Sequence, residues 1–117
     1  MRSGPPGRLT SLVATAGAHR LTWGQVLARR QARTGLAAPL AAGPAAAAAA
    51  MCGAHAQVLP AAELSVGLRL DGATRADVRA ALWGDGTLVK TFGPRGTVHL
   101  LPTADLPMWT GALSTLP

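Results

Sequence analysis

The feature that most constrains the fold is a change of hydrophobic period near residue 86. Upstream of it, apolar residues recur at helical spacing. Downstream, residues 87–92 (TLVKTF) and 97–101 (TVHLL) are short β-prone runs joined by Gly93-Pro94-Arg95-Gly96. Two such runs separated by four turn-forming residues read as an antiparallel hairpin. Beyond it, Asp105 can cap a last helix in which Leu106, Trp109 and Leu113 recur at i, i+3 and i+7. Pro107 is tolerated in the first turn of that helix, where its missing N–H costs nothing.

Before the change of period the chain reads as four helices. Thr22 is an N-cap candidate, followed by Trp23, Val26, Leu27 and Arg30 at i, i+3, i+4 and i+7, with Gln25, Arg29 and Arg33 on the other side. Gly35 then stops the helix after residue 34. Pro44 opens a second helix that runs through the alanines to Cys52 and ends at Gly53, with high propensity but few side chains to pack. Residues 61–70 place Leu64, Gly67 and Leu68 on one face of a third, closed by Asp71-Gly72. Thr74 caps a fourth over residues 75–83, in which Val78 and Leu82 form an i, i+4 apolar pair and Arg75 and Arg79 share another face. Trp23, Trp83 and Trp109 all fall on apolar stripes, so the sequence predicts three core tryptophans.

This element order predicts an α+β, mostly helical fold: a winged helix-turn-helix whose C-terminal β-hairpin is the wing and is followed by a helix. Residues 1–20, with Gly4, Pro5, Pro6 and Gly7, read as a disordered leader, and residues 21–117 as one winged-helix DNA-binding domain.

Charge narrows the function class. In 117 residues there are 11 Lys+Arg against 5 Asp+Glu, a net charge of +6, and ten of the eleven cations are arginine. The planar guanidinium fork suits phosphate oxygens, which points to nucleic acid, although a coding bias toward Ala, Gly, Pro and Arg also raises arginine content. Arg29, Arg33, Arg75 and Arg79 are candidate phosphate contacts. Arg95, at the hairpin tip, can reach phosphates or a minor groove. A single cysteine, Cys52, excludes an intrachain disulfide. His19, His55, His99 and Cys52 lack metal-ligand spacing, so neither a metal nor another cofactor is expected. No stretch is long and apolar enough to span a bilayer, which points to a cytoplasmic protein with no membrane partner. No P-loop, G-x-G-x-x-G or G-x-S-x-G occurs. His99, alternating with Val98 and Leu100, reads as a hairpin residue satisfied by a neighbour.

The hairpin run continues into Pro102-Thr103-Ala104-Asp105-Leu106 and is preceded by Leu68-Arg69-Leu70-Asp71-Gly72, Asp77-Val78 and Leu82-Trp83. Taken in order, these motifs resemble the first domain of the winged-helix DNA-binding-domain-containing family related to AlkZ-type DNA glycosylases. The likeness runs from about Leu21 to the C-terminus. It implies a duplex DNA partner carrying alkylated or crosslinked bases, and hydrolysis of the N-glycosidic bond. The family's signature, Gln-x-Gln or Gln-x-Asp after the second helix, falls here on His55-Ala56-Gln57, with His replacing the first Gln. His55 and Gln57 are thereby the implied catalytic pair. Spacing of i, i+2 lets two side chains act together only on an extended segment, so the pair must lie beyond the helix stop at Gly53. Family members are much longer, tandem winged-helix chains around a DNA channel, which implies reduced excision or none for these 117 residues alone. A non-catalytic DNA-binding module such as a transcriptional regulator, and a degenerate product without activity, remain the alternative readings.

Overall fold

The computed structural model describes residues 17–117, so most of the leader expected over residues 1–20 lies outside the described residues. The protein is α+β, as expected. Five α-helices are described: α1 (Trp23–Arg33), α2 (Pro44–Ala50), α3 (Leu59–Gly67), α4 (Arg75–Arg79) and α5 (Leu106–Leu113). A π-helical turn over Ala80–Gly84 extends α4. The strands are β1 (Ala54–His55), β2 (Leu88–Phe92) and β3 (Val98–Pro102), all antiparallel in the order β1-β3-β2. The β2-β3 pair is the expected hairpin, turning through a 3₁₀ segment at Pro94–Gly96. Helices followed by this small sheet are consistent with a winged-helix-like fold.

Local chemistry explains the boundaries. At α1, the Thr22 hydroxyl accepts the Gln25 N–H at 3.1 Å while the Gln25 amide oxygen accepts the Thr22 N–H at 2.8 Å, a reciprocal capping box in the T-x-x-Q spacing. At α4, the Asp77 carboxylate accepts the Thr74 backbone N–H at 2.6 Å and the Thr74 hydroxyl at 3.0 Å. These two bonds hold the Asp77 carboxyl below its ordinary pKa, the backbone bond contributing most. Pro44 and Pro60 both sit in first turns, where a missing N–H is harmless. Pro60 therefore lies inside α3, which starts two residues before the expected residue 61.

The core joins Val66, Leu70, Val78, Leu82, Leu88 and Leu100 with six alanines, Ala47, Ala48, Ala54, Ala56, Ala62 and Ala81. Each fully buried Leu or Val contributes about 1.5–3 kcal/mol. The alanines act mainly by spacing, since a methyl group lets a helix backbone lie close to its neighbour. Here α2, expected to have little to pack with, instead buries Ala47 and Ala48 completely and packs on β3.

Three expectations about helix faces are corrected. Trp23 is 78% and Trp83 70% exposed, and Trp109 is only half-buried. No residue of α1 is buried, so its apolar stripe has no element covering it among the described residues. Trp83 follows Val78 by five residues, about 140° around a helix, which directs it away from the core side that Val78 and Leu82 occupy. On α3, Leu64 and Leu68 are 63% and 61% exposed, whereas Ala62, Glu63 and Val66 are buried. The small side of α3 faces α2, β1 and α4, and the leucines face solvent.

Candidate functional site

Two consecutive residues in the left-handed region, Cys52 (φ 54°) and Gly53 (φ 100°), stop the path of α2 and turn the chain into an extended segment. The Gly53 N–H donates back to the Ala48 carbonyl at 2.8 Å, closing the helix. Ala54 and His55 then pair with Leu100 and His99 of β3, and the Ala56 N–H donates to the Val98 carbonyl at 2.8 Å. Burial alternates along this segment. Ala54 and Ala56 are buried while His55 and Gln57 are exposed. His55 on β1 and Gln57 in the bend two residues further on are thus both open to solvent.

His55 is not alone there. In the sheet register His55 lies opposite His99, which lies opposite Thr91. The two imidazoles meet edge to face, with centroids 5.3 Å apart and planes at 71°. The His99 Nδ1 lies 2.8 Å from the Thr97 carbonyl oxygen. A carbonyl only accepts, so Nδ1–H is the donor and the neutral ring carries its proton there. The sequence reading of His99 as a hairpin residue satisfied by a neighbour holds. Its contact with His55 was not legible, because a two-residue strand carries no period that would announce β1.

The arginines fall into separate groups. Arg75 and Arg79 converge through their Nε atoms on one oxygen of Glu63, at 2.7 and 3.1 Å. Glu63 is 2% exposed while the two arginine side chains remain 57% and 49% exposed. Both are therefore held by a buried carboxylate yet retain free donors toward solvent. A groove of about 360 Å³ lined by Pro60, Leu64, Leu68, Ala73 and Arg75 opens beside Glu63, and its lining includes neither His55 nor Gln57. Arg29 and Arg33 lie exposed on α1. Arg95 stands exposed at the tip of the β2-β3 hairpin with φ 58°. Sequence spacing gave no signal for the Glu63 cluster, because Glu63 lies 12 and 16 residues before Arg75 and Arg79 and the three meet only when α3 packs on α4. Among the described residues no three His, Cys, Asp or Glu side chains gather as a metal site.

The family model for AlkZ-like DNA glycosylases matches residues 48–116, more than half of the chain and the stretch that holds His55, Gln57 and the hairpin. The chain belongs to the AlkZ-like DNA glycosylase family. Among solved structures, Streptomyces sahachiroi DNA glycosylase AlkZ is similar to it with a TM-score of 0.69 and 31% identity. That similarity covers 85% of this chain and 30% of that one, so the chain spans about a third of that AlkZ. No curated protein matches the chain.

Proposed function

We propose that residues 21–117 form a winged-helix DNA-binding domain of a DNA-repair glycosylase-like protein, with His55 and Gln57 orienting a water for base excision. The observation that supports the reading is that β1, paired with the hairpin strand β3, and the bend after it leave His55 and Gln57 both exposed while Ala54 and Ala56 are buried. Cleavage of an N-glycosidic bond passes through an oxocarbenium-like sugar, so the nucleophile must be aligned on the anomeric carbon. Water oxygen bonds to that carbon as the carbon–nitrogen bond breaks, and the bonding pair leaves with the base. A purine alkylated on a ring nitrogen such as N7 or N3 is already cationic and departs neutral without a proton. The Gln57 amide aligns the water, and the His55 imidazole aligns it and takes its proton. Arg95 on the wing and Arg29, Arg33, Arg75 and Arg79 on the helices contact backbone phosphates.

Excision also requires the target nucleotide to be unstacked and shielded from solvent, which one small domain has limited surface to do. The 117 residues alone are therefore expected to bind duplex DNA while releasing little or no free methylated purine. The tests are a salt series of duplex binding and a release assay on alkylated DNA. Affinity should fall steeply with salt, and Arg95→Ala should weaken it without loss of folding. Any release measured should vanish in Gln57→Ala and drop in His55→Ala. Robust release that survives both substitutions overturns the assignment of the pair. If binding is salt-dependent and release is absent even with the further domains of an AlkZ-like relative supplied in trans, the non-catalytic DNA-binding module is the correct reading.

A further inference from the structure

We infer that His99 is the positioning residue for His55: it fixes the rotamer of the exposed imidazole from beneath, and the hairpin turn fixes His99 in its place. The inference rests on the water-orienting role proposed for His55. Neither the sequence motif nor the family match assigns anything to His99.

Three observations converge on it. First, His99 is held on its own account, being 8% exposed with its Nδ1–H donated to the Thr97 carbonyl at 2.8 Å. That same carbonyl accepts the Gly93 N–H at 2.9 Å, and the Thr97 hydroxyl donates to the Pro94 carbonyl at 3.1 Å, so the acceptor belongs to a closed turn. Second, the space occupied by the ring depends on two missing side chains. A Cβ at Gly53 would stand 3.2 Å from His99 Cδ2, and a Cβ at Gly93 would stand 3.2–3.4 Å from His99 Cβ, Cγ and Nδ1. Third, this fixed ring meets His55 edge to face across the β1-β3 pair. An exposed His on a two-residue strand has little else to select one rotamer. A reacting water must be aligned to within a fraction of an ångström, so an unrestrained imidazole would align it poorly.

A role in general stability would give His99 no specific effect on the His55 ring, so the experiment reads that ring directly. Imidazole nitrogen–proton correlation spectra of the full chain, assigned with His55→Ala and His99→Leu, report each tautomer and ring environment. The wild type is expected to show His99 protonated on Nδ1, and His55 ring protons displaced by the neighbouring ring current. In His99→Leu that displacement is lost and His55 averages among rotamers. In His99→Phe, which keeps an aromatic face but not the Nδ1–H, the displacement is largely kept. Should His99→Leu fail to fold, Gly93→Ala supplies the second variant. It crowds the His99 ring, and the His55 signals must move with those of His99. His55 signals that stay unchanged when His99 is replaced or displaced overturn the inference. Failure of the underlying functional reading looks different. There the chain supplemented in trans with the further domains of an AlkZ-like relative releases base, and His55→Ala leaves that release unaltered while the spectra still show His99 holding the ring.

Discussion

Gly53 carries two separable burdens, and Gly53→Ala tests whether both are real. Its φ of 100° lies in a region that L-residues rarely occupy, and a Cβ there would come within 2.8 Å of Leu101 Cδ2 and 3.2 Å of His99 Cδ2. The dihedral alone costs an alanine about 1–2 kcal/mol. Overpacking against two buried side chains adds about 1–3 kcal/mol. The alanine also stiffens the unfolded chain, which offsets about 0.4–1 kcal/mol. The net expectation is a loss of about 2–4 kcal/mol, or roughly 8–16 °C in Tm at about 4 °C per kcal/mol for a domain of this size. Gly86 supplies the control, because its φ is 70° and nothing lies within 4 Å of its would-be Cβ. Gly86→Ala therefore reports strain without contact, and should lose only about 0.5–1 kcal/mol. Gly93 supplies the complement, with contact to His99 but no positive φ. The assay is urea unfolding of the three variants and the wild type, followed by intrinsic fluorescence and far-ultraviolet dichroism. Equal losses for Gly53→Ala and Gly86→Ala would refute the claim that Leu101 and His99 pack directly on bare backbone at residue 53.

Glu63→Ala removes the acceptor shared by Arg75 and Arg79 and leaves two guanidinium groups facing each other. Because both arginines are about half exposed, a loss of about 1–2 kcal/mol is expected rather than the larger cost of breaking a fully buried pair, and denaturant titration measures it. The two arginines would then be free to reach phosphates, so a duplex affinity equal to or above wild type is the matching result for their proposed role, and a lower affinity speaks against it. Asp77 gives a pH signature. Its carboxyl is held below its ordinary value by the backbone and then the hydroxyl of Thr74, so the folded state binds fewer protons than the unfolded one. Its stabilisation is fully present above the ordinary aspartate value of about 3.9 and is lost as pH falls through the lowered folded value. Thermal unfolding between neutral pH and pH 2 should show Asp77→Asn less stable than wild type at neutral pH, with the difference shrinking at the acid end. A constant difference would show that the Thr74 cap does not depend on the charge.

Local rules in the sequence determined most of the elements. The Thr22 and Thr74 caps, Pro44 in a first turn, the stop at Gly53 and the 93–96 turn all depend on residues within a few positions of one another. Backbone hydrogen bonding and side-chain stereochemistry act at that range, so the sequence alone sufficed. Which face of each helix is buried was decided by the tertiary structure. An apolar stripe states what could be buried, whereas burial needs an element opposite it. Trp23 and Leu27 have none among the described residues, and Leu64 and Leu68 lost the inner side of α3 to Ala62 and Val66. The alanines of α2 lie at the centre for the converse reason: small side chains let α2 approach β3 closely, a preference that depends on the partner surface. The surroundings of the candidate site were decided at that level too. His55 and His99 are 44 residues apart in the chain. They meet only because β1 pairs with β3 in one register and because Gly53 and Gly93 leave room for the ring between them, and neither condition exists until the chain has closed on itself.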